Sequence, residues 1–294
     1  MKLRILLLVL LCTANCSHSS VLINSRLNEI ADVADKSNDS TLGSMRIEQA
    51  REYIDKSFNQ LHHLETKNWT EDRIYFDSLK RINFYLKDPR LNIILERLYW
   101  KLRETGFAKE EDAKDLYGYF LVHRQFEEAM ALYKKLPSFL TESYMPILKI
   151  SGPGQQIPGP SLLHLGDLNK AELKPFPAST FTGVIILASP NCQYSLNALN
   201  DLQKNQNKEL RSLKNTVVIT PQQDIDYREM KKWNKAHPTL QFKMVYRESD
   251  FALFEFNSVP KFYFLKNGNV VFSFEGWSQT DKGLEKFKEG LSII

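Results

Sequence analysis

The chain has 294 residues, a formal charge of +4 and 43% hydrophobic residues. That length accommodates two domains, and the apolar share is ordinary for a protein with a real core. Its lysines and arginines are interleaved with acids, which excludes the basic block of a nucleic-acid footprint.

The first residues read as an export signal. Lys2 and Arg4 form a positive start, Ile5 to Leu11 an apolar run, and Thr13 to Cys16 a cleavage zone. The run is too short to span a membrane, which takes ~20 apolar residues. Two readings of residues 1–16 stay open. One is plain signal-peptide cleavage near Ala14. The other is a lipoprotein signal with Cys16 lipidated, which Asn15 fits poorly because that position normally holds Gly, Ala or Ser. Either way the expected product is exported, and soluble or tethered only by lipid. Of the three cysteines, Cys12 and Cys16 lie in or beside the signal, which leaves Cys192 as the single thiol after processing. One thiol builds no internal disulfide framework, so the fold must rest on its core.

Residues 17–44 are polar with scattered leucines and isoleucines and read as a tether or a loosely ordered helix. Residues 45–150 read as an all-α domain. Ile47, Ala50, Ile54, Phe58 and Leu61 follow helical spacing, as do Ile74, Leu79, Ile82 and Leu86. Pro89 separates two helices, and Gly106 is a predicted cap closing the stripe from Leu91 to Leu102. Glu110 to Pro137 resembles one tetratricopeptide-like helix pair turning at Arg124 and Gln125. A single pair makes no array, so a simple helical bundle is the plainer reading. Breakers from Ser151 to Pro160 mark a linker.

Residues 161–294 change character. Predicted strands at Ser161–Leu165, Val184–Ser189, Thr216–Thr220, Leu240–Tyr246, Lys261–Leu265 and Val270–Glu275 alternate with predicted helices at Ser195–Lys204, Ile225–Ala236 and Thr280–Leu291. Asn267 and Gly268 form a hairpin turn. The pattern predicts an α/β domain, a mixed sheet flanked by helices.

Cys192, Gln193, Tyr194 and Ser195 stand where an apolar strand meets a helix. Backbone N–H groups and the helix dipole favour a thiolate there. Val259 and Pro260 precede the next apolar strand, the hairpin follows, and Gly276 comes after it. Together these residues resemble a thioredoxin fold, most closely the bacterial envelope group typified by TlpA and ResA. The long separation of Cys192 from Pro260 suits that group's extra helix and strand. The resemblance implies a cis-proline at Pro260 beside Cys192. It also implies a backbone platform at Val259 that pairs with a substrate chain.

The chain departs from that family at three points. Ser195 replaces the resolving cysteine, Asn191 stands where many members have Trp, and Ile186 lies in the strand where thioredoxins carry a buried acid. No substitute acid is visible in the sequence. The resemblance then implies only the first half of thiol–disulfide exchange, with Cys192 as nucleophile and Ser195 as its hydrogen-bonding partner. Tyr194 is an aromatic placed to pack on a partner. The expected partners are protein thiols or disulfides, with a small thiol as reductant and no cofactor. A second reading stays open, in which the fold is a redox-silent binding module or adaptor of the cell envelope and the helical domain supplies the surface.

The remaining residues carry less. His62 and His63 are adjacent and cannot share a helix face as metal ligands. His123, His164 and His237 lack ligand spacing, and no metal site is expected. Trp233 and Trp277 read as core. Asn38 and Asn68 begin glycosylation-type triplets.

Overall fold

A computed structural model describes residues 25–32, 40–138, 140, 149–151, 159–166, 170–204, 215–278 and 282–294. The export signal with Cys16, much of the tether, Asn38 and most of the linker lie outside the described residues. The chain divides into two compact units, with the boundary between His123 and Arg124.

The first unit is all helix. Helix α1 spans residues 25–32, followed by α2 (Ser40–His62), α3 (Trp69–Leu86), α4 (Pro89–Glu104) and α5 (Glu110–Val122). From α2 onward each helix packs on the next. The boundaries have local causes. Asn68 caps α3 by accepting from the Glu71 N–H at 3.0 Å. Asp88 caps α4 by accepting from the Arg90 N–H at 2.9 Å, and Pro89 takes the first helical position, where a missing N–H costs nothing. Gly106 ends α4 at φ +81°, and the Phe107 N–H reaches back to the Leu102 carbonyl at 2.8 Å. Both features follow the expectation from sequence. Tyr75, Leu79, Ile82, Ile94, Leu98 and Tyr117 fill the core.

The second unit is α/β. It begins at Arg124, the turn residue expected between the paired helices, which takes φ +60°. The buried Arg124 guanidinium donates to the carbonyls of Val245 at 2.5 Å and Tyr246 at 3.3 Å. Helix α6 (Phe126–Lys135) therefore starts from a residue anchored to the sheet. The two helices of the expected pair fall in different compact units.

The sheet has eight described strands: β1 (Lys149–Ser151), β2 (Ser161–Leu165), β3 (Lys170–Pro175), β4 (Gly183–Leu187), β5 (Thr216–Thr220), β6 (Phe242–Val245), β7 (Lys261–Lys266) and β8 (Asn269–Glu275). Their order is β1-β3-β2-β6-β5-β4-β7-β8. Strands β4, β5 and β6 run parallel, and β7 is antiparallel to β4. Helices α7 (Gln193–Lys204), α8 (Tyr227–Ala236) and α9 (Lys282–Ile293) complete the unit. The sheet is mixed, as expected. Strands β1 and β3 are additions to the sequence reading. In β3 only Ala171 and Leu173 are buried, between exposed lysines and Glu172, which is the alternation of a strand with one wet face.

Strand β7 shows why the sheet needs both faces covered. Tyr263 and Leu265 join a core with Ile185, Leu187, Val217 and Phe251. Phe262 and Phe264 point the other way, where they meet Phe287 of α9 at ring distances of 5.9 and 5.4 Å. Gly290 lies so close to the Phe264 ring that a Cβ would come within 2.5 Å. Trp277 is buried as expected and donates to Asp201 of α7 at 3.0 Å.

Candidate functional site

Sheet register places the site. Leu187 at the end of β4 pairs with Lys261 at the start of β7. The turn after Leu187 carries Cys192, and the loop before Lys261 carries Val259 and Pro260. Antiparallel neighbours therefore bring these distant stretches to one end of the sheet. The Val259–Pro260 bond is cis. The Cys192 Sγ lies 3.7 Å from the Val259 carbonyl oxygen, within reach for a thiol donor. Cys192 is partly exposed. The Gly276 N–H donates to the Pro260 carbonyl at 2.8 Å, so the segment after β8 braces the same loop.

Cys192 stands immediately before α7, and its carbonyl accepts from the Leu196 N–H at 3.0 Å. A side chain there sees the partial positive charge of the helix start. Ser195 sits one turn in and is fully buried. Its hydroxyl accepts from the Ser189 N–H at 3.2 Å. The structure thus gives Ser195 a bond to the turn before the cysteine, where a bond to the thiol was expected. Tyr194 is 63% exposed and lines a groove of about 500 Å³. Val259, Pro260, Trp277, Lys282 and Lys286 share that groove. Four of the residues singled out from sequence, Cys192, Tyr194, Val259 and Pro260, therefore meet at one place. Ser195 supports them from below, and Cys16 lies outside the described residues.

Two supporting residues were not singled out. Ser189 ends the approach to the turn and bonds through its amide, hydroxyl and carbonyl. Lys261 follows the cis-proline. Its buried ammonium donates to Glu255 at 2.8 Å and Asn257 at 2.7 Å, which ties down the loop leading to Val259. A serine and a strand-leading lysine have no distinctive spacing. Only register and turn geometry reveal them.

The other candidates stay apart. Among the described residues, no three His, Cys, Asp or Glu side chains gather as a metal ion would need. Burial lowers His164 to about 4, with Lys243 and Lys174 adding to the effect. Asn68 is engaged as a helix cap. No described helix is long and apolar enough to cross a membrane. Comparisons with family models, curated proteins and solved structures returned no match.

Proposed function

We propose that the second unit is a thioredoxin-like domain of the bacterial envelope type, and that Cys192 performs the first half of thiol–disulfide exchange. The observation that carries this reading is the partly exposed Cys192 thiol 3.7 Å from the Val259 carbonyl, next to a cis-proline. The chemistry is a displacement. The Cys192 thiolate attacks one sulfur of a substrate disulfide, a new S–S bond forms, the old one breaks, and the departing thiolate takes up a proton. Cys192 is oxidised to the mixed disulfide as the leaving sulfur is reduced. A second thiol is needed to finish the cycle, because the Ser195 hydroxyl cannot displace sulfur. A small monothiol supplied from outside would attack the mixed disulfide and restore the Cys192 thiol.

The substrate side of the proposal rests on the groove. Val259 would pair with an extended chain through its backbone, and Tyr194 and Trp277 would pack on its side chains. The proposal includes export on residues 1–16, with Cys16 as lipid anchor in one form of it.

The test is incubation of the purified protein with a disulfide-bonded peptide, followed by intact-mass measurement. A single peptide adduct on wild type, absent in Cys192→Ala and released by a monothiol, is the expected result. Absence of any adduct under conditions that modify free cysteine would sink the proposal. The adaptor reading is favoured by one observation, the exposure of Tyr194 beside the groove. It predicts that Cys192→Ala binds the same peptide with unchanged affinity and that no covalent species forms.

A further inference from the structure

The groove that holds Tyr194, Val259 and Pro260 is lined by two kinds of side chain. The first kind is aromatic. Tyr194 stands exposed, and Trp277 rests against α9. Gly283 of α9 lies so close to the Trp277 ring that a Cβ would come within 3.0 Å. Any larger residue there would push the ring off the helix. The second kind is cationic. Lys282 and Lys286 are exposed and stand four residues apart on α9. That spacing places them on one helix face with Cβ atoms about 5–6 Å apart. The Lys286 ammonium lies 5.9 Å from the centre of the Phe274 ring, a cation–π contact that keeps it on the groove side.

The charge of these lysines is not cancelled locally. Among the described residues, Glu275 is the one acid that lines the groove. Its carboxylate accepts from the Ser258 hydroxyl at 3.1 Å and sits 3.6 Å from the buried Lys261 ammonium. Glu275 is therefore matched by a cation of its own. Asp201, close by, accepts from the Trp277 indole. Glu285 and Glu289 of α9 are exposed and do not line the groove. Among the described residues, neither Lys282 nor Lys286 is bonded to a carboxylate. The groove thus joins aromatic surface to two uncompensated positive charges.

We propose that this groove takes an extended acidic segment, and that Lys282 and Lys286 determine which substrate chains Cys192 meets. The inference rests on the exchange reading above, which makes a chain paired with Val259 the substrate. An extended chain places every second side chain on one face, about 6.5–7 Å apart. Two acids at alternate positions near the substrate cysteine therefore match the spacing of the two lysines. An apolar neighbour in the same chain would cover Tyr194 and Trp277.

The test uses the full chain and three ten-residue peptides, with serine in place of cysteine so that binding is read without a covalent step. One carries two acids at alternate positions, the second the matching amides, and the third lysines. Fluorescence anisotropy should show the acidic peptide binding about three- to tenfold tighter than the amide peptide, as two exposed ion pairs provide. The preference should fade near 1 M salt, where screening acts within ~3 Å. Lys282→Gln with Lys286→Gln should bring the acidic peptide down to the amide level, and the paired arginine variant should keep the preference. Lys204→Gln with Lys235→Gln removes the same charge outside the groove and should also keep it. Equal or tighter binding of the amide or lysine peptide overturns the proposal, as does failure of all three to bind. A preference that survives the groove variant, or falls equally in the control, also overturns it. The acidic peptide carrying a disulfide to a small thiol is then offered to wild type. Acid preference without any Cys192 adduct sinks the exchange reading alone, whereas an adduct formed equally fast with acidic and amide peptides sinks the groove proposal alone.

Discussion

The two units bury different things. The helical unit takes charged groups into its interior and satisfies them there. Asp112 is almost wholly buried, bonded by Arg73 through both carboxylate oxygens, and also accepts from the Lys109 N–H at 2.9 Å. Asp88 is buried against Arg90 and the start of α4. Asp72 accepts from Lys101 at 3.1 Å and from Thr66. The α/β unit instead stacks rings, with Phe262 and Phe274 4.4 Å apart and Phe264 wedged between α9 and β8. Its Asp224, in the loop between β5 and α8, keeps one buried oxygen unpaired. Acids that are fully bonded serve helix ends and stability. The unpaired Asp224 Oδ2 carries a cost in stability.

The largest test of this contrast removes a ring. Phe264→Ala should cost about 3–5 kcal/mol in the α/β unit, because the ring is fully buried and α9 can collapse only partly onto the gap. Chemical denaturation followed by tryptophan fluorescence should register the loss in that unit and leave the helical unit unmoved. The counterpart removes a charge. Asp112→Asn should destabilise the helical unit by about 3 kcal/mol, since it breaks a buried pair from one side. A cost under about 0.5 kcal/mol would mean that Asp77 takes over Arg73 entirely.

The two units should also answer acid with opposite signs. Burial alone would raise Asp88 and Asp112, but the hydrogen bonds from Arg90 and Arg73 outweigh it and hold both below the ordinary carboxylate range. Their contribution is present above the unfolded carboxylate value near 4 and disappears as pH falls through the lowered folded values. Burial raises Asp224 to about 6, so its carboxyl favours the folded state increasingly as pH falls from above 6 toward 4. Asp224→Asn should therefore stabilise the α/β unit by about 1–2 kcal/mol at pH 7, and the gain should shrink to nothing below about pH 4. Thermal melts across that range would decide it, and a gain independent of pH would contradict it. The smallest effect is at Ser195. Ser195→Ala leaves the buried Ser189 N–H without its acceptor and should cost about 1 kcal/mol, read from the same melts.

What the sequence disclosed follows from how local each signal is. Pro89, Gly106 and the Asn267–Gly268 pair act on their own backbone, and each sits at the boundary expected of it. Asn267 and Gly268 take φ of +51° and +78°, the double positive pair of a two-residue hairpin. The meeting of Cys192 with Val259 and Pro260 was readable only through resemblance, because the register of β4 on β7 that creates it is a long-range property. Strand β3 was missed because two buried residues among lysines make a weak alternation. The burial of Asp224 has no signal in the sequence, because an acid in a polar loop has no pattern of its own.

The tip of the β7–β8 hairpin has one more consequence. Gly268 presses against the Ser179 backbone, where a Cβ would fall 2.2 Å from the carbonyl oxygen, and its N–H bonds to Phe181 at 2.8 Å. The hairpin is the most local strand pairing in the sheet, so it is the piece that can close soonest as the chain collapses. Once closed, its tip grips the segment that feeds directly into β4. The order of assembly would then run from the β7–β8 hairpin back toward β4, with the hairpin acting as a mould for the strand that delivers the cysteine. If the tip closes before β4 docks, Gly268→Ala should slow refolding followed by stopped-flow fluorescence, and an unchanged refolding rate would place the grip on residues 179–181 after that step.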